Sequence, residues 1–105
     1  MKTINITFPN EIPKNYTGIV NINNGNLIVH YQNGKIHREG LPAFIATIVE
    51  QEGYFNNGLR HRIGGPALLS GSNGAIYYVY GQQVTKEAHD LLYNLMKLKG
   101  MIKNA

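Results

Sequence analysis

The sequence predicts a mainly β protein (α+β), an antiparallel β-hairpin repeat meander with one C-terminal amphipathic helix. Three observations support this fold class. Asparagine–glycine pairs recur between short runs rich in β-branched and aromatic residues, which is typical of tight hairpin turns. A stretch that begins at Tyr31 is repeated 24 residues later at Phe55. After Gly81 the apolar residues change from alternation to a spacing of three and four, which indicates a helix.

Length and composition indicate a single domain, 1–105, with a modest core. We divide it into N-terminal strands at 1–23, hairpin repeats at 24–81 and the helix at 85–100. Charged residues make up only 15% of the chain, and asparagine and 12 glycines supply much of its polarity. Because asparagine and glycine tolerate positive φ, this composition predicts short strands joined by tight turns.

The N-terminal segment is expected to contribute two strands before the first hairpin turn. Residues 2–8 alternate apolar and polar side chains, as a half-buried strand does, and the prolines after them predict a loop at 9–15. A strand at 16–22 and another at 27–32 flank an asparagine–glycine turn at 23–25. We expect these two strands to pair.

The second half of the chain alternates shorter apolar runs with turn residues. Three strands are predicted there, at 43–49, 67–70 and 75–80. The turns between strands are predicted at 33–34, 50–53, 57–58 and 71–74.

The C-terminal helix has recognisable start and stop signals. Thr85 can cap its N-terminus, Glu87 lies in the first turn, and Gly100 can end it in the left-handed conformation. Its apolar stripe comprises Ala88, Leu91, Leu92, Leu95, Met96 and Leu98. This stripe must be buried either against the open face of the sheet or against a second copy of the protein.

The duplicated segments align without a gap. They share seven identities: Asn33/Asn57, Gly34/Gly58, His37/His61, Arg38/Arg62, Gly40/Gly64, Pro42/Pro66 and Ala43/Ala67. Tyr78–Gly81 is a partial third copy, and its His-Arg would fall at Val84 and Thr85, where the helix begins instead. Terminal repeats are often altered in this way because they have no further neighbour.

The pattern of Asn-Gly, an aromatic residue, Asn-Gly, His-Arg and Gly-Pro-Ala resembles MORN-type hairpin repeats. It is most similar to the Tyr-x-Asn-Gly-x-x-His-Arg-x-x-Gly-Pro-Ala variant found in bacteriophage and giant-virus proteins. The resemblance covers 24–81, and the copies depart from the unit at Glu39–Pro42 and Ile63–Pro66. It implies a β-meander scaffold, binding rather than catalysis, and a phage origin.

The repeated His-Arg pairs favour a structural role because they recur at the structural period. Each histidine would bond a neighbouring backbone carbonyl, and each arginine would cross the repeat to an acceptor, which satisfies groups that the Gly-Pro bend leaves free. The residues assigned to the structural repeat are Asn33, Gly34, His37, Gly40, Pro42, Asn57, Gly58, His61, Gly64 and Pro66. Function is then expected where the copies differ, at Lys35, Ile36 and Glu39 against Leu59, Arg60 and Ile63, and in the added helix.

Candidate binding residues combine basic and aromatic side chains: Lys35, Arg38, Arg60, Arg62, Tyr54 and Tyr78. The favoured hypothesis is a phage-type protein that occupies a host protein, as a stoichiometric inhibitor of a defence or transcription enzyme. The alternative is a nucleic-acid binder in which His37 and His61 join these cations along a basic edge. A third is a structural protein that forms a homo-oligomer through 85–100.

Several function classes find little support in the sequence. The net charge of +4 is compatible with an acidic partner, and no apolar run is long enough for a signal peptide or a membrane span. The absence of cysteine favours a reducing compartment, so we expect a cytoplasmic protein, in the host cytoplasm if viral. No metal-ligand spacing, phosphate loop or catalytic set is recognisable, so we expect neither a cofactor nor enzyme activity.

Overall fold

Residues 2–72 and 74–102, which the computed structural model describes, form short strands, one 3-10 helix (Pro9–Glu11) and one α-helix, α1 (Lys86–Leu98). The strands of the first half are β1 (Thr3–Ile6), β2 (Gly18–Ile22), β3 (Leu27–Gln32), β4 (Lys35–Ile36) and β5 (Phe44–Ala46). Those of the second half are β6 (Gln51–Gly53), β7 (Phe55–Asn56), β8 (Leu59–Arg60), β9 (Leu68–Ser70), β10 (Gly74–Val79) and β11 (Gln82–Val84). Asn73, in the predicted turn at 71–74, and Met1 and 103–105 lie outside the described residues.

One large sheet contains most of the strands, in the order β1-β2-β3-β5-β6-β9-β10-β11, with β4 also paired to β3. The hairpin β7–β8 forms a separate two-stranded sheet. Apart from β1 with β2, the paired strands run antiparallel. The prediction of a mainly β chain with an antiparallel sheet and a C-terminal helix is therefore confirmed at this level.

The direction of the first strand differs from the prediction. β1 lies parallel to β2, with Thr3 opposite Ile19 and Ile6 opposite Ile22, so the N-terminal strands depart from an antiparallel meander. The connection between β1 and β2 includes the 3-10 helix. There the Glu11 carboxylate accepts hydrogen bonds from the backbone amides of Thr7 and Phe8. This longer connection returns the chain to the start of β2, and alternation alone does not encode strand direction.

The predicted strand at 43–49 is too long and the predicted turn at 50–53 is misplaced. β5 ends at Ala46, residues 47–50 form the turn, and β6 occupies much of the predicted turn. Glu50 adopts a φ of 54°, and its amide donates to the carbonyl of Thr47. Ile48 and Val49, whose apolar character led to the longer strand, are exposed in the turn.

The core lies mainly towards the N-terminal end of the sheet. Tyr16, Val20 and Ile22 form its buried cluster, with Ile4, Ile6, Ile12, Leu27 and Tyr31 packed against it. Ala43 and Ala67, which are equivalent in the duplication, are both fully buried.

The helix starts and stops where the sequence predicts. The Thr85 hydroxyl accepts the Ala88 amide, and Gly100 has a φ of 69°. α1 packs against β10 through a face that contains the buried His89. Burial of the predicted stripe is incomplete, because Leu92 and Met96 are half-buried while Leu91, Leu95 and Leu98 are exposed. Neither α1 nor any other helix at 2–72 and 74–102 is long and apolar enough to cross a membrane.

Candidate functional site

Three two-residue turns form one edge of the molecule, which we call the turn row. They are Asn33-Gly34, Asn57-Gly58 and Tyr80-Gly81. Their first residues have φ values of 52°, 48° and 45°, and their second residues have 80°, 88° and 84°. Two successive positive φ values are the signature of the type I′ hairpin turn, which explains the asparagine–glycine pairs.

Backbone hydrogen bonds connect each turn to the chain segment before it. The second residue of each turn donates its N–H to a carbonyl oxygen of that segment. The distances are 2.9, 2.8 and 2.7 Å for the pairs Gly34–Tyr16, Gly58–Ile36 and Gly81–Arg60. The three turns are therefore held in series.

A side chain accepts a second hydrogen bond at each turn, and at two of the three turns that side chain is one of the repeated histidines. The first residue of each turn donates its amide to a side-chain acceptor. The pairs are Asn33 with Thr17 Oγ1 at 2.9 Å, Asn57 with His37 Nδ1 at 3.0 Å, and Tyr80 with His61 Nδ1 at 2.9 Å. The prediction that each histidine would bond a backbone carbonyl is wrong for Nδ1, because this nitrogen accepts a hydrogen bond from a backbone amide.

This bonding determines the charge of the two histidines. A ring nitrogen that accepts a hydrogen bond carries no proton, so each imidazole is neutral in this arrangement. His37 directs Nε2 to the Glu39 carboxylate at 3.2 Å, and His61 stacks on the Tyr80 ring with 3.8 Å between centroids. Burial lowers the pKa of His61 and so favours its neutral form.

The two repeated arginines reach equivalent carbonyl oxygens. Arg38 donates from Nη1 to the carbonyl of Pro42 at 3.1 Å, and Arg62 donates to that of Pro66 at 3.2 Å. The Arg62 guanidinium also lies 4.0 Å from the centre of the Tyr54 ring. Both arginines are half-buried and already engaged within the chain.

A glycine makes room for the second of these arginines. A Cβ atom at Gly65 would lie 2.7 Å from Cζ of Arg62, which is closer than real contacts allow. The equivalent residue of the first copy is Leu41, whose side chain is exposed. Because Arg38 makes the equivalent bond beside Leu41, the close approach at Gly65 is a feature of the second copy and not a requirement of the arginine–carbonyl bond.

His89 extends this arrangement from the helix, although it is not among the predicted site residues. Its Nε2 accepts the Gly64 amide at 3.1 Å, its Nδ1 lies 3.0 Å from the Asp90 carboxylate, and its ring is 4.8 Å from that of Tyr77. Hydrogen bonds from Lys86 and His89 lower the pKa of Asp90. The available signal was a polar residue on the apolar face of a predicted helix.

The predicted binding residues divide into separate groups. Arg60 lies between the rings of Phe55 and Tyr78, at 5.7 and 5.6 Å from their centres, and we call these three residues the aromatic clamp. Lys35 extends over Gly58 of the turn row, as Leu59 does over Gly81. The remaining three, Arg38, Arg62 and Tyr54, line a cleft of about 340 Å³ between the two copies.

The histidines also line this cleft, and the C-terminal part of the chain borders it. Tyr93 of α1 and Ile102 lie at one end, beside Gly64. Within 2–72 and 74–102, no three histidine, cysteine, aspartate or glutamate side chains are grouped as a metal site requires. Each arginine of the cleft donates one hydrogen bond to a backbone carbonyl, and each repeated histidine accepts one from a backbone amide.

Exposed cations therefore remain at the edge of the molecule rather than in the cleft. Lys35 and Arg60 are exposed, and the ion pairs of the described part of the chain involve His37, Lys86 and His89 instead. Comparison of the chain with protein-family models, curated proteins and solved structures finds no match.

Proposed function

We propose that this chain is a small phage-type binding protein that occupies an acidic surface of a host protein through its turn row. The observation that carries this proposal is the aromatic clamp. Arg60, in β8 directly after the second turn, is exposed, yet its guanidinium is held between two rings and its carbonyl accepts the Gly81 amide of the third turn. Arginine and tyrosine are the residue types that most often dominate binding energy at protein interfaces.

Apolar side chains beside the clamp support a protein partner. Leu59 and Tyr80 are 48% and 60% exposed, and both belong to the turn row or lie directly beside it. An exposed arginine flanked by aromatic and aliphatic groups fits an acidic surface that also presents an apolar pocket. Because the turns are already ordered, binding requires little loss of conformational entropy.

The charges argue against the nucleic-acid alternative. That hypothesis needs Arg38, Arg62, His37 and His61 as free cations along one edge. The two imidazoles accept amide hydrogens and are neutral, whereas the two guanidiniums keep their charge but are half-buried in the cleft and donate to carbonyl oxygens of the chain. Lys14, Lys35 and Arg60, the exposed cations near the turns, would supply few of the phosphate contacts on which strong nucleic-acid binding depends.

We further propose that the two copies are MORN-like hairpin units that form the scaffold for this surface. The parallel bonds of His37 and His61, and of Arg38 and Arg62, support their equivalence. The assignment to a host partner and to stoichiometric inhibition rests on the resemblance to phage proteins.

A capture experiment tests the proposal. The purified chain is immobilised and exposed to nuclease-treated bacterial lysate, and retained proteins are identified and then purified. We expect a directly binding acidic protein whose affinity falls at least tenfold with Arg60→Glu. The matched control is Lys97→Glu, the same charge reversal on an exposed residue in the last turn of α1.

The other outcomes are equally informative. Equal binding by Arg60→Glu and the unaltered chain would show that the aromatic clamp is not the contact surface. Capture that disappears with nuclease treatment would favour nucleic acid over protein. If the partner is an enzyme, its activity should reach a minimum at one equivalent of this protein.

A further inference from the structure

The helix α1 has two apolar faces, and the sheet covers only one of them. The covered face contains His89, Leu92, Tyr93 and Met96, which are buried or half-buried. The second face, which we call the outer helix face, consists of Ala88, Leu91, Leu95 and Leu98. Its three leucines are 71%, 46% and 86% exposed.

The spacing of the outer helix face suits packing against another helix. Its residues follow at intervals of three, four and three, which is the repeat of helix–helix seams. Lone exposed leucines are common on protein surfaces, but an aligned row over about three turns of helix needs a partner. The sheet cannot be that partner, because it already covers the neighbouring face.

The charges of the helix favour a second copy in the antiparallel direction. Glu87 lies in the first turn, one helical turn before Leu91, and Lys99 lies at the C-cap, one turn after Leu95. An antiparallel copy brings Glu87 of each helix near Lys99 of the other. The helix dipoles are then also opposed, which adds to the attraction.

We propose that two copies of this chain form a dimer through their outer helix faces, packed antiparallel about a two-fold axis. Residues related by that axis fall opposite each other when their numbers are symmetric about 93. Leu91 of each copy then lies opposite Leu95 of the other. Ala88 lies opposite Leu98, so the smallest side chain of the face receives the most exposed one.

The first test is the mass of the protein in solution. A helix of 13 residues provides a small interface, so we expect a reversible monomer–dimer equilibrium. Sedimentation equilibrium from low-micromolar to sub-millimolar concentrations should show mass rising towards that of two chains. The variant Leu91→Ser with Leu95→Ser should stay monomeric, while Asn94→Ser with Lys97→Ser, on the same helix, should dimerise as before.

The second test is the direction of the two helices. The chain has no cysteine, so introduced thiols report only the designed contacts. Ala88→Cys mixed with Leu98→Cys should form a disulfide-linked pair upon mild oxidation. Leu98→Cys alone should not form a linked pair. In the antiparallel dimer the two copies of residue 98 are separated by ten helical positions, about 15 Å along the axis. Lys97→Cys serves as the control on another face.

Two outcomes would overturn the inference. Rapid self-linking of Leu98→Cys would establish a parallel arrangement. A monomeric mass throughout the concentration range, with circular dichroism showing α1 intact, would exclude the dimer and assign the outer helix face to a different protein.

Discussion

The backbone amide of Asn57 donates a hydrogen bond to Nδ1 of His37 across 3.0 Å, so a side chain of the first copy fixes the turn of the second. His61 holds Tyr80 in the same way at 2.9 Å. The repeated histidines therefore have a structural role, in which each one holds the next turn of the chain.

Replacing His61 with alanine should destabilise the protein. The Tyr80 amide would lose its acceptor and the Tyr80 ring would lose its stacking partner, at a cost of about 1–3 kcal/mol. Urea denaturation measures the difference. His61→Asn is the control, because its side-chain oxygen can accept in place of Nδ1 and should recover part of the loss. Equal stability of His61→Ala and the unaltered chain would contradict this account.

Stability should decrease when the solution becomes more acidic than about pH 6.5. Burial lowers the pKa of His61, and burial together with nearby Arg38 lowers the pKa of His30, both below the usual 6.5. The unfolded chain therefore takes up these protons first as pH falls. The stabilisation that comes from keeping His30 and His61 neutral in the folded chain is complete above pH 6.5. It declines below that pH until the folded histidines also become protonated.

Thermal melts across this range test the pH prediction. The Tm should fall from neutral pH to about pH 5, and the fall should be smaller in His61→Asn, which cannot titrate there. A Tm that rises on acidification would show that the histidines gain protons more readily in the folded state.

The arginines should separate into structural and surface residues. Arg62→Ala leaves the Pro66 carbonyl without its donor and exposes the Tyr54 ring, so we expect a loss of about 1–2 kcal/mol. Arg60→Ala should change stability by about 0.5 kcal/mol or less, because Arg60 is exposed. Urea denaturation of both variants provides the comparison.

The double variant Arg38→Ala with Arg62→Ala distinguishes the scaffold from the nucleic-acid hypothesis. We expect a lower Tm, because two carbonyl oxygens lose their donors. An unchanged Tm combined with loss of retention on heparin or oligonucleotides would favour the nucleic-acid hypothesis instead.

His89 should determine whether the helix stays docked. His89→Ala removes the acceptor of the Gly64 amide and leaves a cavity beside Tyr77, at a cost of about 2–4 kcal/mol. Amide hydrogen exchange should then become faster in α1 and change less in β2 and β3. The exposed substitution Glu87→Gln on the same helix should leave exchange nearly unchanged.

Much of the local structure could be predicted from the sequence. Positive φ at asparagine and glycine is a local preference, so the turns at 33–34 and 57–58 follow from residue type. Thr85 and Gly100 likewise mark the helix, since capping involves neighbouring residues. The expectation that Arg38 and Arg62 would cross the repeat is wrong, because each bonds a proline carbonyl of its own copy, and the histidines bond amides rather than carbonyls.

Only the tertiary structure decided the features that depend on distant contacts. The direction of β1, the turn at 47–50 and the role of His89 each result from pairing or packing between segments far apart in the chain. Alternation and helical spacing show which side chains share a face, but not which neighbour covers it. For that reason the sequence by itself determined the asparagine–glycine turns and the helix, while the structure decided that the sheet covers His89 and leaves Leu91 and Leu98 exposed.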